Sequence, residues 1–475
     1  MSFKRKVIKG FIWSFLGQSS YLAISLVANL ILARILMPED FGKIGVVMFF
    51  IAISKVVSES GMSGALIRKK KVTNTDYTTV FIFNIVLSLF LALILILSSN
   101  FIGEYYKDDS ISEILIVLSS VLIINSFRIV QYTKLIRSLD YRKKSVIELI
   151  GVFTGASVGI TLAVFNYGVW SIVYMQIVTA FVTTLLFWMV EGKIGKLIFS
   201  FESFKGLYRF GINTTVASIL NTGFDNIYNL ILGKYFSLSQ TGFYFQAKKL
   251  QEVPVGMVKS ATLGVAFSSL SRLQGENAKF DLFYNKLTKG FTVLLSLISL
   301  LLFTYAEQII VLFYGDKWIK ATFYMQILAL AAFFYMQEMF NRILFKIFDR
   351  TDKILYLEVI KKAIQSISIV IGVVYSSLEI LMYGFLVTSI ISYFINYYHS
   401  RLIYRSFSWN EVLLIFKVTT LAVLNYLLVS FVGEYYELNN MYFLCLIPLS
   451  LILFVISVFS FKVISLKDIK ELKEV

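Results

Sequence analysis

Long apolar stretches recur along nearly the whole chain, with short polar segments between them. Most of them contain about 20 residues, the length that crosses the hydrocarbon core of a bilayer as a helix. The pattern predicts an all-α, polytopic membrane protein with about 14 transmembrane helices. The predicted spans lie at approximately 11–33, 41–67, 77–97, 111–132, 146–165, 168–190, 207–233, 242–270, 286–305, 321–345, 355–375, 378–398, 411–432 and 442–464.

Two of these helices, the first and the seventh, have a polar stripe along one face, because polar residues recur at intervals of three or four. The stripe of the seventh helix consists of Thr214, Ser218, Asn221, Asp225 and Asn229. The matching positions of the first helix are Ser14, Gln18, Tyr21, Ser25 and Asn29. A polar face in hydrocarbon is costly unless it contacts protein or water. We therefore predict that both helices border one wet cavity.

The matching stripes belong to an internal repeat. The sequence NLILAR at 29–34 matches NLILGK at 229–234. Further along, 101–144 resembles 308–353 with a shift of about 208 to 209 residues. Each copy contains six predicted spans, an even number, so both copies cross the membrane in the same direction. The repeat predicts two six-helix lobes related by a pseudo-two-fold axis along the membrane normal.

The repeat and the loops between the spans predict four segments. The N-terminal lobe comprises 1–190, a cytoplasmic linker follows at 191–206, and the C-terminal lobe comprises 207–405. The last segment, 406–475, holds two additional helices and a cytoplasmic tail. Lysine and arginine are concentrated in alternate loops, and loops with this bias face the cytoplasm. We therefore predict that both termini are cytoplasmic.

The glycines add one further detail to the repeat. Gly42 matches Gly242 just after the paired helix ends. Three other glycines, at 151, 155 and 159, form two overlapping small-xxx-small steps in the fifth span. Such steps allow two helices to approach closely, so we assign these three glycines to packing and not to function.

Composition excludes several classes of protein. The chain has 475 residues, of which 57% are hydrophobic and only 16% charged. Its net charge of +16 could indicate nucleic acid, but the bias toward alternate loops explains that charge and predicts no nucleic-acid partner. Cys445 is the single cysteine and His399 the single histidine, which argues against an intramolecular disulfide and a structural zinc site. No nucleotide-binding loop of the G-x-x-x-x-G-K-[ST] type occurs, and no predicted outside loop exceeds about 16 residues. We expect a protein that is not an enzyme.

Several motifs resemble those of a known family. The sequence LARILMPEDFG at 32–42 is similar to the segment after the first helix of the polysaccharide transporters, which are Wzx-type flippases of lipid-linked oligosaccharides. Their superfamily also contains the MATE drug exporters and the lipid II flippase. The supporting stretches are SGMSGALI at 60–67, YGVWSI at 167–172, TGFYFQA at 241–247 and LFYGDKW at 312–318. The resemblance covers nearly the whole chain.

The resemblance implies a function. Proteins of this kind export undecaprenyl-diphosphate-linked oligosaccharide units across the bacterial cytoplasmic membrane by alternating access, for the synthesis of O-antigen, lipopolysaccharide and exopolysaccharide. The implied partners are the lipid-linked oligosaccharide, the bilayer, and polysaccharide polymerase and glycosyltransferases. No cofactor is expected, although Na⁺ or H⁺ could drive transport. The alternatives are a cation-coupled multidrug or metabolite antiporter of the same fold, a membrane acyltransferase or polymerase, and a scaffold for polysaccharide enzymes.

A diphosphate needs cations and a wet path to cross hydrocarbon. The candidate substrate-binding residues of the cavity are Gln18, Lys55, Glu59, Asn221, Asp225, Lys248, Lys249, Glu252 and Lys259. The repeat pairs Glu59 with Lys259, which predicts that they lie at equal depth. A structural alternative stays open: Lys55 and Glu59 would neutralise each other one helical turn apart, and the later lysines would extend to the interface.

The remaining candidates have mechanical or coupling roles. Arg128, Glu338 and Arg342 lie near predicted cytoplasmic helix ends and are candidates for a cytoplasmic gate. Charges at such ends are more often interfacial anchors than substrate ligands, and both alternatives stay open. Pro254 lies within a predicted helix and is a candidate hinge. Asp225 could bind a proton or sodium ion with its neighbours on the stripe, or it could be a packing residue. We assign no function to the charged residues at helix starts, which are Glu148, Glu358, Lys361 and Lys362.

Overall fold

The computed structural model describes residues 3–59, 61–192, 194–404, 409–436 and 440–464. These residues form helices and turns and no strands, which confirms the predicted all-α class. The chain divides into two compact units, Met1–Phe245 and Gln246–Val475. The lobe boundaries predicted from the repeat differ from this division and stay a prediction.

The first unit contains eight helices in its described part and the start of a ninth. They are α1 (Phe3–Ile35), α2 (Pro38–Glu59), α3 (Met62–Arg68), α4 (Asn74–Tyr106), α5 (Asp109–Arg137), α6 (Tyr141–Val164), α7 (Trp170–Glu191) and α8 (Phe201–Tyr235). Helix α9 (Leu238–Arg272) begins in this unit and ends in the second. Helix α6 packs against α1 and α7, whereas α8 packs against α2, α3 and α4. The two striped helices, α1 and α8, therefore have different principal neighbours.

Polar residues fix where several of these helices begin. Thr73 and Asp76 form a reciprocal capping box at the start of α4. Asp108 and Asp140 cap α5 and α6 by accepting hydrogen bonds from backbone amides of the first turn. The span predicted at 41–67 is divided into α2 and α3, because Gly61 between them has a left-handed φ of 63°.

The predicted glycine seam joins α6 to α7. A Cβ atom on Gly155 would lie 1.9 Å from Thr179 Oγ1, and one on Gly151 would lie 2.1 Å from Thr183 Oγ1. A Cβ on Gly159 would lie 2.8 Å from the Cβ of Met175. Every side chain larger than hydrogen is thus excluded along this seam, which confirms the packing role predicted for the three glycines.

The second unit contains most of α9 and eight later helices in its described part, the last two joined by a 3₁₀ turn. The later helices are α10 (Asn277–Thr304), α11 (Ala306–Tyr314), α12 (Ala321–Ile347), α13 (Thr351–Val374), α14 (Leu378–Tyr404), α15 (Asn410–Tyr435), α16 (Asn440–Phe443) and α17 (Ile447–Ser460). Helix α12 packs against α10 and α14, and α15 packs against α10 and α17. The last predicted span, 442–464, is thus not one continuous helix.

Ten segments of the described chain are long and apolar enough to cross a membrane. They include the segments that contain α1, α2, α4 to α7, α10, α12, α14 and α15. Helices α8, α9 and α13 are also long enough, but their sequences carry several charged residues, which lower the mean hydropathy. The protein is therefore a multi-pass membrane protein, and the count of fourteen spans stays a prediction.

Candidate substrate-binding site

Arg128 is a cation of the first unit that lies within electrostatic range of polar groups on three other helices. It lies on α5, partly buried, and interacts electrostatically with Glu148 of α6, Tyr21 of α1 and Glu59 of α2. Glu148 also accepts a hydrogen bond of 2.8 Å from Lys144. The structure thus places a predicted gate residue, Arg128, within electrostatic range of a predicted cavity residue, Glu59.

The other α2 candidate, Lys55, is exposed, as is Glu59 one turn away. Among the described residues, no ion pair joins Lys55 to Glu59 or to another carboxylate. The alternative in which these two side chains neutralise each other is therefore not realised in this conformation. Lys55 is a cation that a ligand can reach.

The polar stripe of α1 lies beside a close helix contact. A Cβ atom on Gly17 would lie 2.0 Å from Ser145 Oγ, so α1 approaches α6 closely there. Gln18 is exposed, and Tyr21 is partly buried toward Arg128. Further along the stripe, Asn29 is only 3% exposed. The accessible part of the stripe is therefore its first half, around Gln18.

The polar stripe of α8 also becomes more buried toward the end of its helix. Asn221 and Asp225 are exposed, whereas Asn229, one turn further on, is 1% exposed. Asp225 could thus meet a soluble cation with Asn221, but the buried Asn229 is less accessible to one. Among the described residues, no group of three or more histidine, cysteine, aspartate or glutamate side chains converges to hold a metal ion.

The α9 candidates belong to the second unit. Lys248 Nζ lies 3.9 Å from Glu252 Oε1, and Lys259 Nζ lies 5.7 Å from the centre of the Tyr335 ring. Lys249 is partly buried. Helix α9 continues through Pro254 without interruption. The predicted equal depth of Glu59 and Lys259 involves both units and stays a prediction.

The second unit contains a ring of charges that the sequence predicts only in part. The predicted gate residues Glu338 and Arg342 of α12 meet Glu358 and Lys361 of α13. The prediction that Lys361 lies at a helix start is wrong, because it is the eleventh residue of α13 and is only 6% exposed. The spacing of Glu338 and Arg342 on α12, and of Glu358 and Lys361 on α13, places opposite charges on one face of each helix. This pattern is compatible with ion pairs between the two helices.

A second buried ion pair had no signal in the sequence. Arg401 of α14 pairs with Glu411 of α15, and both are at most 7% exposed. Arg401 also donates to the Tyr284 hydroxyl at 3.0 Å, and Asn341 donates to Glu411 at 3.1 Å. The guanidinium lies over the rings of Tyr284 and Tyr397, 4.9 and 5.0 Å from their centres. This network fixes α15 to three other helices.

A reciprocal glycine contact closes one end of the first unit. A Cβ atom on Gly42 would lie 1.8 Å from the Leu238 carbonyl oxygen, and one on Gly242 would lie 1.8 Å from the Pro38 carbonyl oxygen. The repeat relates Gly42 to Gly242 and Pro38 to Leu238, so the two contacts are copies of each other. The starts of α2 and α9 thus meet without space for any side chain. We call this the glycine closure.

Ionic and aromatic contacts surround the glycine closure. Lys43 forms an ion pair of 2.9 Å with Asp108, and Lys234 donates to the Tyr105 carbonyl at 2.5 Å. Burial alone would raise the pKa of the Asp108 carboxyl, but hydrogen bonds from Ser110 and Lys43 outweigh burial and hold that pKa below its ordinary value. This end of the unit is therefore held by charges as well as by close packing.

The fold defines a multi-pass membrane protein that has buried charged groups within its helices, among them Lys361, Glu338, Arg401 and Glu411. Comparison with known proteins identifies the family. Residues 31–323 match the family described as "polysaccharide biosynthesis protein". The chain belongs to this family, which confirms the resemblance found in the sequence.

Individual proteins show the same relationship. The chain is 25% identical over 319 residues to the succinoglycan biosynthesis transport protein ExoT of Rhizobium meliloti (strain 1021), a match that covers 67% of this chain. The match spans 65% of the length of that relative. Among solved structures, the lipid II flippase MurJ in an inward closed conformation has a TM-score of 0.68 at 16% identity, over 95% of this chain and 98% of that one. A multidrug MATE transporter in an inward-facing conformation has a TM-score of 0.62 at 17% identity, over 83% and 100%. These structures establish the fold.

Proposed function

We propose that this protein is a flippase that moves undecaprenyl-diphosphate-linked oligosaccharide units across the bacterial cytoplasmic membrane, for the synthesis of surface polysaccharide. It acts as a transporter and not as an enzyme. The observation that carries the proposal is the position of Arg128 among Tyr21, Glu59 and Glu148, at a point where four helices contribute polar groups. Membership of the polysaccharide biosynthesis family supports the same substrate class.

Arg128 and Lys55 bind the diphosphate. The diphosphate is the most strongly hydrated part of the substrate, so a cation lowers its crossing barrier more than it lowers that of any other part. A guanidinium offers paired N–H donors that match phosphate oxygens. When no substrate is bound, Glu148 and Glu59 neutralise Arg128, which limits the cost of a buried charge. The sugar contacts the accessible half of the α1 stripe around Gln18, and the polyprenyl chain stays in lipid.

Alternating access requires the glycine closure to open. In the topology that we propose, with fourteen spans, both termini in the cytoplasm and lobes at 1–190 and 207–405, the closure faces the outside. Pro254 acts as a hinge within α9, where Lys248, Lys249, Glu252 and Lys259 provide further substrate contacts. Glu338 and Arg342 contribute to the cytoplasmic gate. Transport draws on a gradient of Na⁺ or H⁺, for which Asp225 with Asn221 is the candidate site.

The experiment compares Arg128→Gln with the wild-type chain in proteoliposomes that contain a fluorescent lipid-linked oligosaccharide. Hydrogen bonds to a charged group contribute about 1.5–3 kcal/mol. If they are made in the transition state, we expect transport to fall roughly 10- to 150-fold. Lys143→Gln is the matched control, because that lysine lies on α6 with its side chain 53% exposed. Wild-type transport by Arg128→Gln at equal abundance would contradict the proposed site. Transport of cationic drugs without lipid-linked substrate would favour an antiporter.

A further inference from the structure

The charge ring of the second unit, formed by Glu338, Arg342, Glu358 and Lys361, is closed. Lys361 forms hydrogen bonds to Glu338 and, at 2.8 Å, to Glu358. Arg342 lies 2.7 Å from the same oxygen of Glu358 and 4.0 Å from Glu338. Positive and negative groups alternate around the ring, so its net charge is zero.

The charge ring is the main link between α12 and α13. Each of these helices packs chiefly against α14, and their direct contact with each other is slight. Replacing a buried ion pair with well-packed apolar residues often leaves stability unchanged or raises it. Holding two helices together therefore does not require four charges in this part of a membrane protein. Charges that lie within membrane helices usually mark a path for ions or substrates.

The arrangement contains a ready position for an anion. Arg342 and Lys361 converge on one oxygen atom, Oε1 of Glu358. The carboxylate of Glu358 occupies this position on a flexible side chain that is 14% exposed, and Arg342 is 21% exposed. A rotation about the Glu358 side-chain bonds would leave two cations facing the same point, with Glu338 still paired to Lys361. Two cations at one point suit a phosphate group.

The first unit has a carboxylate at the position that corresponds to Glu358. Glu148 is the eighth residue of α6, and Glu358 is the eighth residue of α13. Arg128 and Glu338 are each the tenth residue from the end of their helix. The carboxylates Glu148 and Glu358 therefore occupy matching positions, whereas Arg128 of the first unit corresponds to Glu338 of the second. Glu148 interacts electrostatically with Arg128, and Glu358 pairs with Arg342, so a cation on the preceding helix faces the carboxylate in each unit.

We propose that Glu358 is a displaceable counter-ion and that a phosphate-type anion, such as the headgroup of a phosphorylated lipid, binds Arg342 and Lys361 in its place. Glu358 moves away from the cations when the anion binds and returns when it leaves. The site lies in the second unit and is separate from the Arg128 site, so anion binding there can be measured without transport and can fail independently of the proposed function.

The test measures the affinity of pyrophosphate for the full-length protein in nanodiscs of zwitterionic lipid, by isothermal titration calorimetry. An Arg128→Gln, Lys55→Gln background removes both cations that we propose bind the diphosphate in the first unit. In that background, Glu358→Gln removes the competing carboxylate charge and should strengthen pyrophosphate binding roughly tenfold. Arg342→Gln removes a ligand and should weaken binding at least tenfold. Lys346→Gln is the matched control, because it removes an exposed cation one turn further along α12 and should change nothing.

Opposite changes in pyrophosphate affinity for Glu358→Gln and Arg342→Gln distinguish a binding site from a structural ring. A ring that only holds helices together predicts that Glu358→Gln and Arg342→Gln both lower the thermal stability and leave pyrophosphate affinity unchanged, which would overturn the proposal. If Glu358→Gln does not fold, Glu358→Asp withdraws the carboxylate by one methylene and should also strengthen binding. A second set of nanodiscs with phosphatidylglycerol identifies the source of the anion. Weaker pyrophosphate binding there supports a bulk lipid headgroup, and unchanged binding supports a specific phosphorylated ligand.

Discussion

The glycine closure gives the sharpest prediction about how this protein moves. In Gly42→Ala, the new Cβ atom would lie 1.8 Å from the Leu238 carbonyl oxygen and 2.6 Å from its carbon. Real Cβ atoms essentially never approach closer than 3.0 Å, so the starts of α2 and α9 must separate by about 1.2 Å. The atoms that obstruct the methyl group belong to backbone and cannot rotate away.

The separation has an energetic cost only in the conformation in which the glycine closure is formed. Overpacking of this kind typically costs about 1–3 kcal/mol. A conformation in which the closure is open does not bear this cost. At about 2 kcal/mol, the equilibrium would shift toward the open conformation roughly 30-fold. We therefore expect Gly42→Ala to fold and insert but to spend much more time open at this end.

The assay is the rate at which an impermeant maleimide labels a cysteine at Thr241, in a chain whose native Cys445 is replaced by alanine. Thr241 is fully buried beside the closure, and cysteine is close to threonine in size. Gly42→Ala should raise the labelling rate at least tenfold. Gly223→Ala is the matched control, because its Cβ would have its nearest neighbour at 4.0 Å. An unchanged labelling rate in correctly folded Gly42→Ala would refute the closure as a gate.

Two further predictions concern stability. Arg401→Gln or Glu411→Gln should each cost about 3–5 kcal/mol, because each leaves the partner as an unpaired buried charge, whereas the double variant Arg401→Met, Glu411→Leu should be milder. The melting temperature in detergent measures the loss of stability in the single and the double variants, and equal losses in all of them would contradict the reasoning. The lowered pKa of Asp108 means that its stabilising contribution is complete above the ordinary aspartate pKa and is lost as pH falls through the lower folded value. Thr241→Cys labelling should therefore rise in acid relative to that of an exposed reference cysteine at the same pH, a ratio that cancels the slower reaction of the protonated thiol. Asp108→Asn should remove the pH dependence of this ratio.

Much of the fold could be predicted because it depends on local patterns. Span length, the glycine seam of α6 and the pairing of Gly42 with Gly242 follow from residue spacing and from comparison of the chain with itself. The division of one apolar stretch into α2 and α3 could not be predicted, since it depends on the left-handed conformation of Gly61. A glycine in an apolar run is equally compatible with a continuous helix.

The candidate site was harder to predict because charge pairing depends on how helices face each other. Spacing within α12 and α13 shows which charges share a face, but the pairing of Lys361 with Glu338 requires the register between the two helices. Arg401 and Glu411 lie on different helices, and nothing in the sequence indicates their contact. Tertiary register, rather than composition, therefore decides which membrane charges neutralise each other and which remain accessible to a ligand.

The glycine closure also explains why the repeat carries a glycine in both copies. Each glycine contacts a carbonyl oxygen of the other copy, so the contact is self-complementary in the way that two-fold interfaces are. In the two-fold arrangement that the repeat predicts, a duplicated sequence meets itself at the axis, and a side chain added to both copies would enter the contact twice. One substitution obstructs one half of the closure, and the other half still favours the closed state. It follows that Gly42→Ala and Gly242→Ala should open the same end to a similar extent, although their partners, Leu238 and Pro38, differ in sequence.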